Sequence, residues 1–210
     1  MAHEHGPGEE HEAGPRHELS HWAKRAYAMR DILVERGVVT EEDIRQQAEF
    51  TESKTPANGA KLVARAWTDP EFKARLVADP KKVCAEMGID ASTLNEFVIL
   101  ENTDRLRHVV VCTLCSCYPR PILGRPPDWY KSFNYRKRAV NDPRGVMREF
   151  GLEVPDEVEV RVHDSTADMR YLVIPARPAG TEGLSVEELE KLVTRDSMIG
   201  VMDALPSVPE

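Results

Sequence analysis

Three cysteines fall within the six residues Cys112-Thr113-Leu114-Cys115-Ser116-Cys117, directly after the apolar run His108-Val109-Val110-Val111. Such a run reads as a strand, so the thiols arrive on a loop at a strand's C-terminal end, a rigid support feeding a functional turn. Thiolates at this density select a soft or borderline transition metal over magnesium or calcium. Tetrahedral zinc normally draws on two separated pairs or on cysteines plus histidines. Here no second C-x-x-C pair or H-x-H cluster follows. The short Cys115-Ser116-Cys117 arc also turns its own backbone amides toward the point the thiols share. A metal that takes deprotonated amide nitrogens has to be low-spin and strongly Lewis acidic. Cobalt(III) and iron(III) fit, and zinc fits poorly.

Three other readings compete with a catalytic metal. A disulfide framework belongs to secreted chains, whereas no secretory leader is read here and the only other cysteine is Cys84. A thioredoxin-type C-x-x-C needs a helix starting after its first cysteine. The segment Tyr118-Pro119-Arg120-Pro121 is not expected to continue one. Structural zinc stays open, with less support than a catalytic metal.

Elsewhere the pattern is coarse but readable. Residues 1–18 are polar, glycine- and proline-broken and rich in histidine, and are expected to be a disordered leader. From Leu19 to Arg36, Trp22, Ala26, Met29, Ile32 and Leu33 recur at helical steps, stopped by Gly37. Thr40 is expected to cap a second helix running to about Phe50. Asp69-Pro70 and Asp79-Pro80 each place an N-cap aspartate before a proline at the first helical position, and the second of these helices buries Cys84. Strands are expected at 97–100, 108–111, 158–162 and 170–174, with a helix around 142–150. Ser185 with Glu188 forms a capping box for a helix to about Thr194. The organisation is therefore a 1–18 leader, a 19–90 helical arm with further helices, and a 91–210 α/β domain carrying the cysteine loop.

The run from His108 to Pro119 resembles the metal claw of the nitrile hydratase α subunit, and equally that of the thiocyanate hydrolase γ subunit. Similarity extends through Ala66-Trp67-Thr68-Asp69-Pro70, Pro126-Pro127-Asp128-Trp129-Tyr130, Arg177-Pro178-Ala179-Gly180-Thr181 and Val193-Thr194-Arg195-Asp196, covering roughly residues 20–202. The resemblance implies an α+β fold, an N-terminal helical arm followed by a layered α-β-β-α domain. It implies Cys112, Cys115 and Cys117 as sulfur ligands, with Ser116 and Cys117 amides as nitrogen ligands and Cys115, Ser116 and Cys117 as the catalytic set. Thr113 between the first two cysteines goes with cobalt(III), one per chain, and iron(III) is the alternative. Cys115 is expected as sulfinate and Cys117 as sulfenate, since electron-rich bound thiolates climb the oxidation ladder selectively. Arginines of a β-type partner, single or split, are expected to bond those oxygens, and a cobalt-delivery accessory protein is expected.

Departures from the family pattern bear on the substrate. Arg120 stands where nitrile hydratases usually carry Trp and where thiocyanate hydrolase has Arg, and is read as substrate-binding. Arg125 replaces a usual Leu, and His163 sits where Val-Trp-Asp is typical. Phe50 occupies a usual Tyr position, and the usual Gln-Gly-Glu is not recognisable in Ser92-Thr93-Leu94-Asn95-Glu96. The expected activity is hydration of a large or polar nitrile to its amide. The alternatives are hydrolysis of thiocyanate to carbonyl sulfide and ammonia, and a non-catalytic cobalt-binding role. A net charge of -8 argues against nucleic acid or an anionic membrane surface as partner. Cysteine usage without a leader points to the cytoplasm.

Overall fold

The computed structural model describes residues 19–115 and 117–208, so the histidine-rich leader and Ser116 lie outside the described residues. The chain divides into two compact units at Glu49/Phe50. In the first, α1 (His21–Glu35) starts at Ser20, whose Oγ accepts from the Ala23 N–H at 3.1 Å. Gly37, at φ 67°, lets the chain turn left-handed after it. Thr40 caps α2 (Glu41–Glu52) by accepting from the Asp43 N–H, as its position before three acidic residues implies. None of the residues of α1 or α2 is buried, and Trp22 and Met29 are 73% and 64% exposed. The apolar stripe of this arm is therefore presented outward along the helix rather than spent on a core of its own.

The second unit holds the core. Its helices α3 (Pro56–Thr68), α4 (Pro70–Ala78) and α5 (Pro80–Glu86) follow one another through the two Asp-Pro junctions. Asp69 and Asp79 accept from the Phe72 and Lys82 N–H groups, so each cap ends one helix and starts the next. Leu62, Val63, Phe72, Leu76, Val83 and Cys84 are buried beneath them. Among the described residues four strands form two parallel pairs: β1 (Glu96–Glu101) with β4 (Met169–Ile174), and β2 (Leu106–Val111) with β3 (Glu159–Asp164). In β2, Val109, Val110 and Val111 are all buried, the signature of a parallel strand covered on both faces.

The two pairs pack on each other through β2, β4 and β1. Helices α4 and α5 cover β1, while α8 (Phe133–Asn141) covers β2 and α9 (Pro143–Glu149) covers β3. The order is helix, sheet, sheet, helix, as the resemblance implied. α11 (Arg195–Ile199) packs on both β4 and β2. Two local readings need correction. Proline does not keep helix out of the segment after the thiols: α6 (Arg120–Leu123) forms with Pro121 in its first turn, where the missing N–H costs nothing. The capping box at Ser185 is present, but its helix, α10 (Val186–Glu190), stops well short of Thr194. Thr194 instead caps α11 in a second box with Ser197. No helix among the described residues is long and apolar enough to cross a membrane.

Candidate metal centre

Strand β2 ends at Val111, and the loop begins at once with Cys112, which is 1% exposed. The Sγ atoms of Cys112, Cys115 and Cys117 lie within 4.8 Å of one another. Cys112 to Cys115 is 3.3 Å and Cys115 to Cys117 is 3.1 Å, and none of the three is in a disulfide. The Cys115 N–H donates to the Cys112 sulfur at 3.2 Å, tightening the turn from inside. Burial and the hydrogen bond with Cys115 push the Cys117 thiol up to about 12, against a favourable field from Arg170. A bound metal ion inverts that preference, because coordination deprotonates a thiol outright. This donor set fits a thiophilic transition metal.

The loop is fixed by residues distant in sequence. The β2–β3 register sets Asp164 opposite Val111. Its carboxylate accepts from the Thr113 N–H at 2.9 Å and from the Thr113 hydroxyl at 2.6 Å. On the other side the Tyr130 hydroxyl donates to the Cys117 carbonyl at 2.9 Å. Tyr130 lies in α7 (Asp128–Lys131), is fully buried, and packs edge-on against Tyr118 and Trp129. The aromatics after the prolines thus brace the loop from below. Above the thiols opens a cavity of about 320 Å³, walled by Cys115, Cys117, Tyr118, Arg120 and Arg170 among others. Arg120, exposed, is one of its lining residues. Ser116 lies outside the described residues.

The nitrile hydratase, alpha chain, family model matches residues 20–202. The chain belongs to that family. It is 52% identical over 188 residues to the low-molecular weight cobalt-containing nitrile hydratase subunit alpha of Rhodococcus rhodochrous, covering 89% of this chain and 90% of that protein. Among solved structures, a recombinant thiocyanate hydrolase with partially modified cobalt centres superposes with TM-score 0.83 at 41% identity, covering 91% of this chain and 93% of that one. An Fe-type nitrile hydratase double mutant from Comamonas testosteroni Ni1 superposes with TM-score 0.79 at 42% identity, covering 89% and 94%.

Within this nitrile hydratase α-chain fold, three residues at the site escaped the sequence reading: Asp164, Arg170 and Tyr130. Asp164 reaches the loop through the β2–β3 register, and Arg170, on β4 of the other pair, through the packing of β4 on β2. Tyr130 entered the sequence analysis only as part of a resemblance segment, with nothing local to mark it as the donor to Cys117. His163 has a partner of its own. Its Nε2 is 2.8 Å from Nδ1 of His108 across the β2–β3 pair, with Tyr171 of β4 against its other side. Burial, then the His108 ring, then Arg161 lower His163 to about 4; His108 is lowered too, mainly by burial. His108 is thus a packed strand residue, as expected of it.

The pair predicts an acid sensitivity. Unfolded, His163 protonates near 6.5; folded, it resists until about 4. The stability it contributes is fully present above about 6.5 and is lost as pH falls through that window, because the unfolded chain then binds the extra proton. His163→Gln is expected to flatten the fall in denaturant midpoint between pH 6.5 and 4, measured against wild type. Equal slopes in the two proteins would remove the histidine pair as the cause.

Proposed function

We propose that this chain is the catalytic α-type subunit of a cobalt nitrile hydratase, converting a large or polar nitrile to the corresponding amide. The observation that carries the reading is the convergence of three cysteine sulfurs beside a cavity lined by two arginines. Cys112, Cys115 and Cys117 hold the metal through sulfur, and the amides of Ser116 and Cys117 supply nitrogen. Bound there, cobalt(III) supplies Lewis acidity toward an otherwise poorly electrophilic C≡N group; iron(III) is the alternative. Support for cobalt comes from Thr113 and from the cobalt-containing relative.

The remaining work belongs to the chain's own groups. Asp164 and Tyr130 keep the loop in its ligating shape from its two ends. Cys115 as sulfinate and Cys117 as sulfenate present oxygens to the cavity, and the positive charge of Arg170 beside Cys117 favours that added negative charge. Arg120 orients the polar part of the substrate at the rim. Water's oxygen ends on the nitrile carbon and its two protons on nitrogen, giving the amide. The site is open on one side and is completed by a β-type partner, single or split, whose arginines bond the oxidised sulfurs. A cobalt-delivery accessory protein loads it, and the assembly is a cytoplasmic hetero-oligomer acting as a lyase.

Arg120 favours a second reading, a thiocyanate hydrolase γ-type subunit, because a guanidinium at the rim suits an anion. A product assay separates the two. The cobalt-loaded chain with its co-expressed partner is given aliphatic, aromatic and bulky heteroaromatic nitriles in parallel with thiocyanate. Amide from nitriles with thiocyanate inert is the expected result; carbonyl sulfide and ammonia with nitriles untouched would transfer the assignment.

A further inference from the structure

Arg120 borders a second space besides the one above the thiols. It also lines a cavity of about 410 Å³ whose wall carries Lys54, Arg125 and Lys131, with Asp128 as its only carboxylate among the described residues. Asp128 is engaged by Lys131 at 2.8 Å. Among the described residues neither Arg120 nor Arg125 has an ion-pair partner, while Lys131 is paired with Asp128 and Lys54 lies in the field of Asp90, so positive charge on this wall remains in excess.

This wall is built rather than incidental. Gly124 sits at φ 70°, and a Cβ there would stand 2.6 Å from the Lys54 carbonyl oxygen. Its bare backbone therefore lets the Lys54 segment lie flat against the turn that leads into Arg125. Asn58 ties the same two segments, donating through Nδ2 to the carbonyls of Pro121 at 3.0 Å and Ser53 at 3.4 Å. Lys54 itself is set over the Phe50 ring at 3.9 Å. Concentrated like charge in a concavity raises the local concentration of anions, and guanidinium forks match oxyanions in pairs of hydrogen bonds.

Resting on the nitrile hydratase reading, we propose that this cavity recognises an oxyanion on the substrate itself: the nitrile end enters the thiol cavity, and a carboxylate or phosphate at the other end lies among Arg120, Arg125 and Lys54. Arg120, common to both spaces, sets the two ends of one molecule in line. The preferred substrate class is then an anionic nitrile larger than the reacting group requires.

Matched probes test this on the metal-loaded complex of the full chain with its partner: benzonitrile, 4-cyanobenzoate and 4-cyanophenyl phosphate. The charged nitriles are expected to exceed benzonitrile in kcat/KM by about tenfold, through KM rather than kcat. Whichever of the two charged probes leads identifies the oxyanion. Arg125→Leu and Lys54→Met are each expected to reduce that ratio by about tenfold, with Lys54→Arg restoring it. Equal kcat/KM for charged and neutral probes in wild type, or a ratio indifferent to Arg125→Leu, would overturn the proposal while leaving nitrile hydration intact.

Calorimetric titration of the same complex with benzoate and phenyl phosphate reads the cavity without turnover. If no nitrile reacts, the functional reading fails; anion binding weakened about tenfold by Arg125→Leu would still uphold the oxyanion site. No binding to wild type would overturn it. So would an Arg125→Leu variant that binds no anion differently but sheds its partner subunit, since an acidic partner segment would then be the occupant.

Discussion

Cys112→Ala is expected to empty the metal centre and abolish amide formation while the domain stays folded. Cys112 is the buried anchor of the thiol cluster: its sulfur contacts Cys115 at 3.3 Å and accepts the Cys115 N–H at 3.2 Å. Removing it takes away one proposed ligand and the contact that curls the loop. Mutating groups that merely support ligands typically costs 10–100-fold in metal affinity or activity, so losing a ligand should cost more than about a hundredfold. Cobalt per chain, measured by plasma mass spectrometry on the purified complex, should fall from about one to a small fraction. Cys84→Ala supplies the control. Cys84 is equally buried but lies on α5 and outside the cluster. Burial pushes its thiol up to about 11, as for an inert packed side chain. That variant should keep its cobalt, and a cobalt-replete Cys112→Ala protein would sink the ligand assignment.

The second large effect is on stability. Gly200 caps α11 at φ 89°, and a Cβ there would fall 1.9 Å from the His108 carbonyl oxygen and 2.9 Å from its carbon. Both atoms are backbone of β2, so no side chain can swing away. Gly200→Ala carries the left-handed penalty of about 1–2 kcal/mol as well as the cost of parting α11 from the strand. A total of at least about 3 kcal/mol is expected, the range reserved for core disruption. Thermal and denaturant unfolding would measure it, and Gly88→Ala makes the comparison. Gly88 has a similar φ of 73° with nothing within 4 Å of its notional Cβ, so only the backbone penalty applies there. Equal losses at the two positions would refute the close-approach argument.

Local chemistry made much of this fold legible. The Asp-Pro junctions, the Thr40 cap, the valine run of β2 and the Ser185–Glu188 box all act within four residues, and each stands where the sequence implied. The thiol cluster was legible for the same reason. The end of α10 was misjudged because Thr194 can close one helix or open the next, and only packing of α11 on the strands decides. Asp164 and Arg170 carried no local signal at all. Asp164 lies 51 residues from Thr113, and parallel register alone brings them together. The family resemblance pointed to the cysteine loop but left this bracing invisible, and the cationic wall beside Arg125 needed the Gly124–Lys54 approach.

That 51-residue span sets an order of events during folding. The thiols are neighbours in the unfolded chain, so they meet early and at little entropic cost. The carboxylate that clamps Thr113 arrives only when β2 and β3 close a long loop, which is intrinsically slow for parallel pairing. Before that closure the sulfurs are close in sequence but lack the Asp164 clamp on Thr113. Strand closure is the event that turns a loose thiol loop into a selective one.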